Sequence, residues 1–125
     1  MIAGTGVDIV KVSRIEKAIF SWGDRFISRI FTVNEYNFIA ARHNKASAFA
    51  LHFAAKEAFS KAIGTGMRRG VKWSDIEVFH YPSGKPGLKL SGRANELCQN
   101  LGINKFHLSL SDDSGLALAM VVLES

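Results

Sequence analysis

Glu57 and Lys61 stand four positions apart in the stretch FAAKEAFSKAIGTGM, residues 53–67. On a helix this spacing places both side chains on one side, where a solvated Glu–Lys pair contributes about 0.3–0.5 kcal/mol. Lys61 in the last turn also suits the helix dipole. Spacing alone therefore favours an ordinary salt bridge. The second interpretation is that the carboxylate binds a metal ion and the ammonium group binds a phosphate.

The neighbours of Glu57 favour the second interpretation. Ala50, Phe53 and Ala54 share its side of the helix, so this side is not a simple solvated face. A helix that is apolar nearly all round is buried, or it is covered by a second subunit. A carboxylate beneath such a cover needs a cation beside it.

Asp8 is a further carboxylate with apolar neighbours, because it lies between Val7 and Ile9. It either faces solvent at the end of a strand or is buried, and burial requires a paired charge or a metal ion. Mg²⁺ often takes one or two carboxylates, and phosphate and water complete its octahedron. Asp8 and Glu57 are therefore a possible Mg²⁺ site.

Polar side chains alternate with apolar ones in KFHLSLSDD, residues 105–113. In a strand, His107 and Ser109 share one face, and the apolar residues share the other. The polar face is either solvated or lines a ligand site, where these two side chains could bind a phosphate or a ribose.

Gly64 and Gly66 flank Thr65 after the long helix. Phosphate-binding loops use the positive N-terminal end of a helix, whereas this segment follows a C-terminal end. A helix C-cap is therefore the stronger interpretation of Gly64.

The elements that position these residues follow from periodicity and capping signals. Residues 2–10 form a strand that is apolar on both faces and therefore buried. Sequence patterns predict four helices and two hairpins: helices over 13–20, 32–42, 47–63 and 91–102, and hairpins formed by 75–80 with 87–91 and by 105–111 with 116–123.

Local signals set the ends of these elements. Ser13 with Glu16, and Thr32 with Glu35, have the form of capping boxes. Ser91 can cap the last helix, and residues 112–115 form the last turn. The mixture of helices and hairpins predicts an α+β fold, with an antiparallel sheet and a long central helix.

Composition indicates one soluble domain over residues 1–125, with 47% apolar and 22% charged residues. The net charge of +5 predicts an acidic or phosphorylated partner. The single cysteine, Cys98, fits a reducing cytosol and a place in the core. The N-terminus has no signal-peptide pattern. The longest apolar run, residues 116–123, is too short to span a bilayer.

Five motifs follow one another along nearly the whole chain: GVDIV at 6–10, FTVNE at 31–35, FAAKEAFSKA at 53–62 before GTG, GKP at 84–86, and HLSLS at 107–111. Together they resemble the holo-acyl-carrier-protein synthases, the small type of 4′-phosphopantetheinyl transferase. The FAAKEAFSKA block with the upstream aspartate carries most of the specificity.

The resemblance implies a reaction and its partners. The family transfers the 4′-phosphopantetheine arm of coenzyme A to a serine of apo acyl carrier protein and releases adenosine 3′,5′-bisphosphate, with Mg²⁺ as cofactor. Its small members are homotrimers with active sites at subunit interfaces. A cytoplasmic enzyme with no nucleic-acid or membrane partner is then expected.

The resemblance also implies residue roles. Asp8 and Glu57 ligate Mg²⁺, and Lys61 stabilises charge on the leaving phosphate or protonates it. Glu57 serves as the base for the serine hydroxyl, directly or through a water, although an ordinary Glu is a weak base at neutral pH and metal-bound water is the better candidate for direct proton removal. Residues that contact coenzyme A are Lys61, Gly64, Pro86, His107, Ser109 and His52. Residues that dock the acidic carrier protein are Arg14, Arg25 and Arg29.

Two positions depart from the family pattern. His52 stands where relatives often have an arginine for the 3′-phosphate, and that role can pass to Arg42, His43 or Lys45. Asp112 stands where many relatives have a histidine, and it is expected to form a turn rather than to bind a ligand.

Two other function classes remain open at this stage. The basic charge is compatible with a nucleic-acid-binding protein, although the basic residues are scattered and no such motif is present. A catalytically silent interaction protein with the same fold would use Asp8 and Glu57 only as structural groups.

Overall fold

The computed structural model describes residues 1–125. It contains five strands, five α-helices and a short 3-10 turn at Trp73–Asp75. The strands are β1 (Ile2–Lys11), β2 (Ile76–His80), β3 (Pro86–Leu90), β4 (Lys105–Asp113) and β5 (Leu116–Glu124). The helices are α1 (Val12–Trp22), α2 (Asp24–Ile30), α3 (Val33–Ala40), α4 (Lys45–Ile63) and α5 (Gly92–Asn100).

The strands form two antiparallel sheets, one of three strands in the order β1-β5-β4 and one that pairs β2 with β3. Helix α4 packs against β1 and β5 on the inner face of the larger sheet. The inner residues of β5, which are Ala117, Ala119, Val121 and Leu123, are fully buried. The predicted α+β fold with a long central helix is confirmed.

The outer face of the three-stranded sheet is exposed in the single chain. Val7 and Ile9 of β1 are 54% and 56% exposed, and Met120 of β5 is 47% exposed. The prediction that β1 is buried on both faces is therefore wrong for one chain, because only its alternate residues face α4.

Two glycines bring β1 into direct contact with the main chain of α4. A Cβ atom on Gly4 would lie 2.0 Å from the carbonyl oxygen of Ala62, and one on Gly6 would lie 2.0 Å from that of Ala58. Because no side chain fits there, the strand lies directly on the helix. Asp8 follows two residues after Gly6 on the same inner face.

Two capping predictions hold at α3 and α4. Thr32 and Glu35 form a capping box at the start of α3. Gly64 ends α4 in the left-handed conformation, with φ of 87°.

Two other capping predictions are wrong. Helix α1 begins at Val12 with Lys11 as its N-cap, so Ser13 already lies in the first turn and forms no capping box. Ser91 occupies the N-cap position of α5, but its side chain makes no capping bond.

The β4–β5 turn is tighter than predicted. Only Ser114 and Gly115 connect the strands, both with positive φ, the conformation of a two-residue hairpin turn. Asp112 and Asp113 lie within β4, and Asp112 pairs with Ala117. The expectation that Asp112 forms the turn is therefore wrong.

Two further outcomes concern the helices and the cysteine. Helix α2 was not predicted as a separate element; it follows Gly23, whose φ is 55°.

Cys98 is buried as predicted, and burial raises the pKa of its thiol to about 11. No helix has both the length and the apolar character needed to cross a membrane.

Candidate active site

Asp8 and Lys61 form an ion pair where β1 lies against α4. The Lys61 Nζ atom donates to Asp8 Oδ1 at 3.0 Å and to the carbonyl oxygen of Val7 at 3.0 Å. The Asp8 side chain is only 15% exposed, whereas that of Lys61 is 54% exposed. Asp8 thus faces the helix rather than the solvent, which settles the two alternatives left open by the sequence.

The salt bridge that spacing favoured between Glu57 and Lys61 does not form. Lys61 is engaged by two acceptors of β1, and no ion pair of the chain includes Glu57. The Lys61 ammonium group therefore binds acceptors of β1 rather than the Glu57 carboxylate on the preceding turn of α4.

Glu57 lies half-buried beside this pair. Burial and the charge of Asp8 raise its pKa above the ordinary value of 4.5, and the charges of Lys61 and Arg14 oppose that rise. Asp8, Lys61 and Arg14 are thus close enough to Glu57 for their charges to act on it. A carboxylate without an ionic partner next to a second carboxylate is suited to a cation or to a proton.

The carboxylates of Asp8 and Glu57 fit a magnesium ion whose coordination shell is completed by a bound ligand and water. No group of three or more metal-binding side chains exists in the chain. Asp8 and Glu57 supply two carboxylates, and phosphate and water commonly complete a Mg²⁺ shell of this kind. The residues present therefore match a substrate-assisted site rather than a closed all-protein site.

His107 and Ser109 lie on the outer face of the same sheet, opposite to the face of Asp8. Their β4 positions pair with Val122 and Met120 of β5, whereas Asp8 pairs with the inward Ala119. One chain therefore does not bring His107 and Ser109 to the carboxylates.

A cleft of about 210 Å³ lies between the β2–β3 hairpin and β4, and Pro86, His107, Tyr81 and Lys85 contribute to its lining. The His107 Nε2 atom lies 2.9 Å from Glu124 Oε1, and this hydrogen bond lowers the pKa of Glu124. The structure thus joins two of the predicted ligand residues, Pro86 and His107, in one place.

His52 lies in the core rather than in a cleft. Its ring is 1% exposed, and its Nδ1 atom lies 3.0 Å from Glu35 Oε2. The ring stacks on that of Phe38. The Arg42 guanidinium group lies over the same Phe38 ring, with its central carbon 4.2 Å from the ring centroid. The burial of His52 speaks against direct phosphate contact.

Glu35 and Lys56 are a buried ion pair that the sequence analysis missed. Both side chains are fully buried, and their charged atoms are 2.7 Å apart. The capping box accounts for Glu35 locally, so the sequence pattern around it indicates no distant partner. A signal was present, however, because Lys56 stands among alanines on a helix with few polar residues.

A basic groove lies along α2. Trp22, Arg25, Phe26 and Arg29 line a volume of about 460 Å³. Phe20, on the preceding helix, is 93% exposed. Arg25 and Arg29 are thus brought together with aromatic surface, whereas Arg14 lies closer to Glu57, whose pKa it influences.

Comparisons with known proteins agree on one family. Residues 4–121 match the family model described as the 4′-phosphopantetheinyl transferase superfamily. The chain is 50% identical to a holo-[acyl-carrier-protein] synthase of Geobacter sp. strain M21, over 99% of each chain.

Solved structures give the same result. The crystal structure of the holo-[acyl-carrier-protein] synthase from Neisseria meningitidis matches with a TM-score of 0.92 and 38% identity, over 100% of both chains. The enzyme of that name from Helicobacter pylori, in complex with coenzyme A, matches with a TM-score of 0.86 and 32% identity, over 96% of this chain and 99% of the other.

Proposed function

Since the chain belongs to the 4′-phosphopantetheinyl transferase superfamily and transfers phosphopantetheine from coenzyme A to apo acyl carrier protein, we propose that Asp8, Glu57 and Lys61 carry out this transfer. The observation that carries the proposal is their convergence where β1 meets α4, with Lys61 bonded to Asp8 and Glu57 beside both.

The reaction forms a bond between the serine oxygen of the carrier protein and a phosphorus of the coenzyme A pyrophosphate. The bond from that phosphorus to the adenosine 3′,5′-bisphosphate breaks. Glu57 accepts the serine proton, directly or through a water molecule. Lys61 is exposed enough to leave Asp8 and donate to the departing phosphate.

Asp8 and Glu57 hold a magnesium ion in this proposal. The ion supplies Lewis-acid stabilisation of charge on the pyrophosphate when it is bound. The two carboxylates orient the site, and Lys61 keeps Asp8 in place before the substrate arrives.

The nucleotide end of coenzyme A binds in the cleft formed by Pro86 and His107, with Ser109 on the same strand face. Gly64, one turn beyond Lys61, lets coenzyme A come close to the main chain. It has no Cβ atom, and no other atom lies within 4 Å of the position that a Cβ would occupy. The 3′-phosphate goes to Arg42, whose guanidinium group lies over Phe38, rather than to the buried His52.

The enzyme acts as a homotrimer, with the outer face of the three-stranded sheet covered by other copies of the chain. The support is the contiguous apolar surface formed by Val7, Ile9 and Met120, which is unusual for a free surface. His107 and Ser109 share this face, so a neighbouring copy can bring them to another subunit's carboxylates. Light scattering measures the mass, and a monomeric Met120→Lys variant without activity would support the shared site.

The carrier protein docks on the basic groove of Arg25 and Arg29, with Arg14 nearer to the carboxylates. Complementary charge attracts an acidic partner, and the exposed aromatic side chains Phe20 and Trp22 supply apolar contact. The serine of the carrier then lies near Glu57.

The test mixes the protein with coenzyme A, Mg²⁺ and apo acyl carrier protein, and weighs the carrier by mass spectrometry with and without EDTA. We expect a gain of one phosphopantetheine that EDTA abolishes. The Glu57→Ala variant should fold and lose transfer by about 10²-fold or more, whereas Glu96→Ala, at an exposed position on α5, should retain it. A folded Glu57→Ala protein with full activity would show that the metal assignment is wrong.

A further inference from the structure

Lys56 has every hydrogen of its ammonium group engaged inside the protein. Its Nζ atom donates to Glu35 Oε1 at 2.7 Å, to the carbonyl oxygen of Trp73 at 3.0 Å and to that of Ile76 at 2.6 Å. An ammonium group has three hydrogens to donate. Lys56 is therefore fixed in place, although it immediately precedes Glu57 in the chain.

The Glu35 carboxylate is equally occupied. Besides Lys56, it accepts from the main-chain nitrogen of Thr32 at 3.0 Å and from that of Val78 at 3.2 Å, and His52 Nδ1 lies 3.0 Å from it. Burial opposes charge on this group, but the hydrogen bond with His52 and the charge of Lys56 hold the pKa of Glu35 below its ordinary value.

Together the two side chains bind the free edge of β2. Its strand partner in the sheet is β3, and the main-chain groups of Ile76 and Val78 bond instead to Lys56 and Glu35. The Thr32 hydroxyl adds a 2.6 Å bond to Glu77 of the same strand. At this edge, the β2–β3 hairpin is therefore attached to helices α3 and α4 by buried polar side chains rather than by a neighbouring strand.

This hairpin also carries one wall of the cleft that contains Pro86 and His107. A slip of β2 along α4 would displace Pro86, which pairs with His80 at the end of the hairpin. Such a slip would leave the sheet that carries Asp8 in place.

We infer that Glu35 and Lys56 are positioning residues for coenzyme A: their buried ion pair sets the register of the β2–β3 hairpin on α4 and so shapes the nucleotide cleft. The inference rests on the proposed placement of the nucleotide end beside Pro86. The pair acts through the hairpin and touches no substrate.

The test compares the double variant Glu35→Gln/Lys56→Met with the wild type. Removing both charges avoids leaving one buried ion without its partner, so the fold is expected to persist. The control Glu96→Gln/Lys89→Met removes the same charges from exposed positions of α5 and the hairpin. Calorimetry measures the Kd of adenosine 3′,5′-bisphosphate. Steady-state assays measure kcat, KM for coenzyme A and KM for the carrier protein.

In the folded double variant, we expect the Kd of the bisphosphate and KM for coenzyme A to rise about tenfold or more, because a misplaced wall weakens binding. The carrier KM and the control should not change. Unchanged nucleotide affinity in the folded double variant would overturn the inference, since a merely structural pair alters stability alone.

A second variant covers the case in which the double variant does not fold. Glu35→Asp keeps the charge but shortens the side chain that links Lys56 and Val78, so it should raise the Kd in the same direction by a smaller factor. Glu35→Asp with wild-type affinity would equally overturn the inference. Failure of the proposed function would be seen separately, as a wild-type protein that transfers nothing, and failure of the cleft assignment as a His107→Ala variant with unaltered bisphosphate affinity.

Discussion

Two of the three lysines of helix α4, Lys56 and Lys61, form ion pairs of opposite character. Lys56 is fully buried with Glu35, and both groups have their hydrogen-bonding capacity filled by the protein. Lys61 is half exposed with Asp8, and Glu57 beside it has no ionic partner. The Glu35–Lys56 pair therefore has no hydrogen-bonding group left for a ligand, whereas the site of Asp8, Glu57 and Lys61 has charged groups that a ligand can bind.

The difference shows that the role of an ion pair depends on whether its charged groups, and those next to it, still lack partners within the protein. In the first pair, removal of one partner leaves the other as an unpaired buried charge, which strongly lowers the free energy of unfolding. The second pair combines a half-exposed Lys61 with a mostly buried Asp8, so it should contribute less to stability than the first pair, and Lys61 is free to exchange partners during a reaction. Substitutions in each pair should therefore separate stability from activity.

The largest effect is expected from Lys56→Met, which leaves Glu35 as a buried charge without its partner. The free energy of unfolding should fall by about 3–5 kcal/mol. Urea denaturation at one fixed protein concentration measures it. Lys61→Met is the matched substitution and should cost clearly less, because half of the Lys61 side chain is exposed and the site is open to water. Equal losses for the two variants would contradict the comparison.

The next effect concerns activity. Lys61→Met should lower kcat/KM for phosphopantetheine transfer by about 10²-fold to 10³-fold, as expected when a cation at the developing charge is removed. Steady-state assays with a saturating carrier protein measure it, and the exposed Lys89→Met is the control. Activity within the error of wild type would leave Lys61 as a support for Asp8 only.

An acid titration sharpens the comparison further. The folded-state pKa of Glu35 lies below its ordinary value of 4.5, so its stabilising contribution is present above that pH and is lost as the pH falls below it. The stability difference between the wild type and Glu35→Gln should therefore shrink as the pH is lowered from neutral to about 3. A difference independent of pH would mean that Glu35 is not held as a carboxylate.

The smallest effect is expected at the basic groove. Arg25→Ala should raise KM for the carrier protein about two- to fivefold, because an exposed ion pair is worth about 1 kcal/mol or less. The effect should fade at high salt, since screening weakens the wild-type contact. Lys89→Ala removes the same charge elsewhere and should leave this KM unchanged; an equal rise would point to net charge rather than docking.

The sequence allowed most of the fold to be predicted, because its signals are local. The Thr32 capping box, the Gly64 C-cap and the alternation in residues 105–111 depend on neighbouring residues, and the structure contains each of them. The Ser13 prediction failed since α1 begins too early for its hydroxyl to reach the cap position.

The sequence indicated Asp8, Glu57 and Lys61 as candidates for one site, but it did not indicate which of them form an ion pair. Lys61 is four residues from Glu57 and far from Asp8 in sequence, yet it bonds to Asp8 because the strand crosses at that turn. The Glu35–Lys56 pair was missed for the same reason, since its members are 21 residues apart. Contacts between distant segments depend on packing that no local pattern reports.

The contact of Gly4 and Gly6 with the main chain of α4 has a consequence for protein engineering. The separation between strand and helix there is set by atoms that every residue type shares, rather than by the volume of any side chain. A library that varies the core side chains can therefore change packing and thermal tolerance without moving Asp8 relative to Glu57. Two fixed codons, those of Gly4 and Gly6, would preserve the spacing of the proposed catalytic groups through such a redesign.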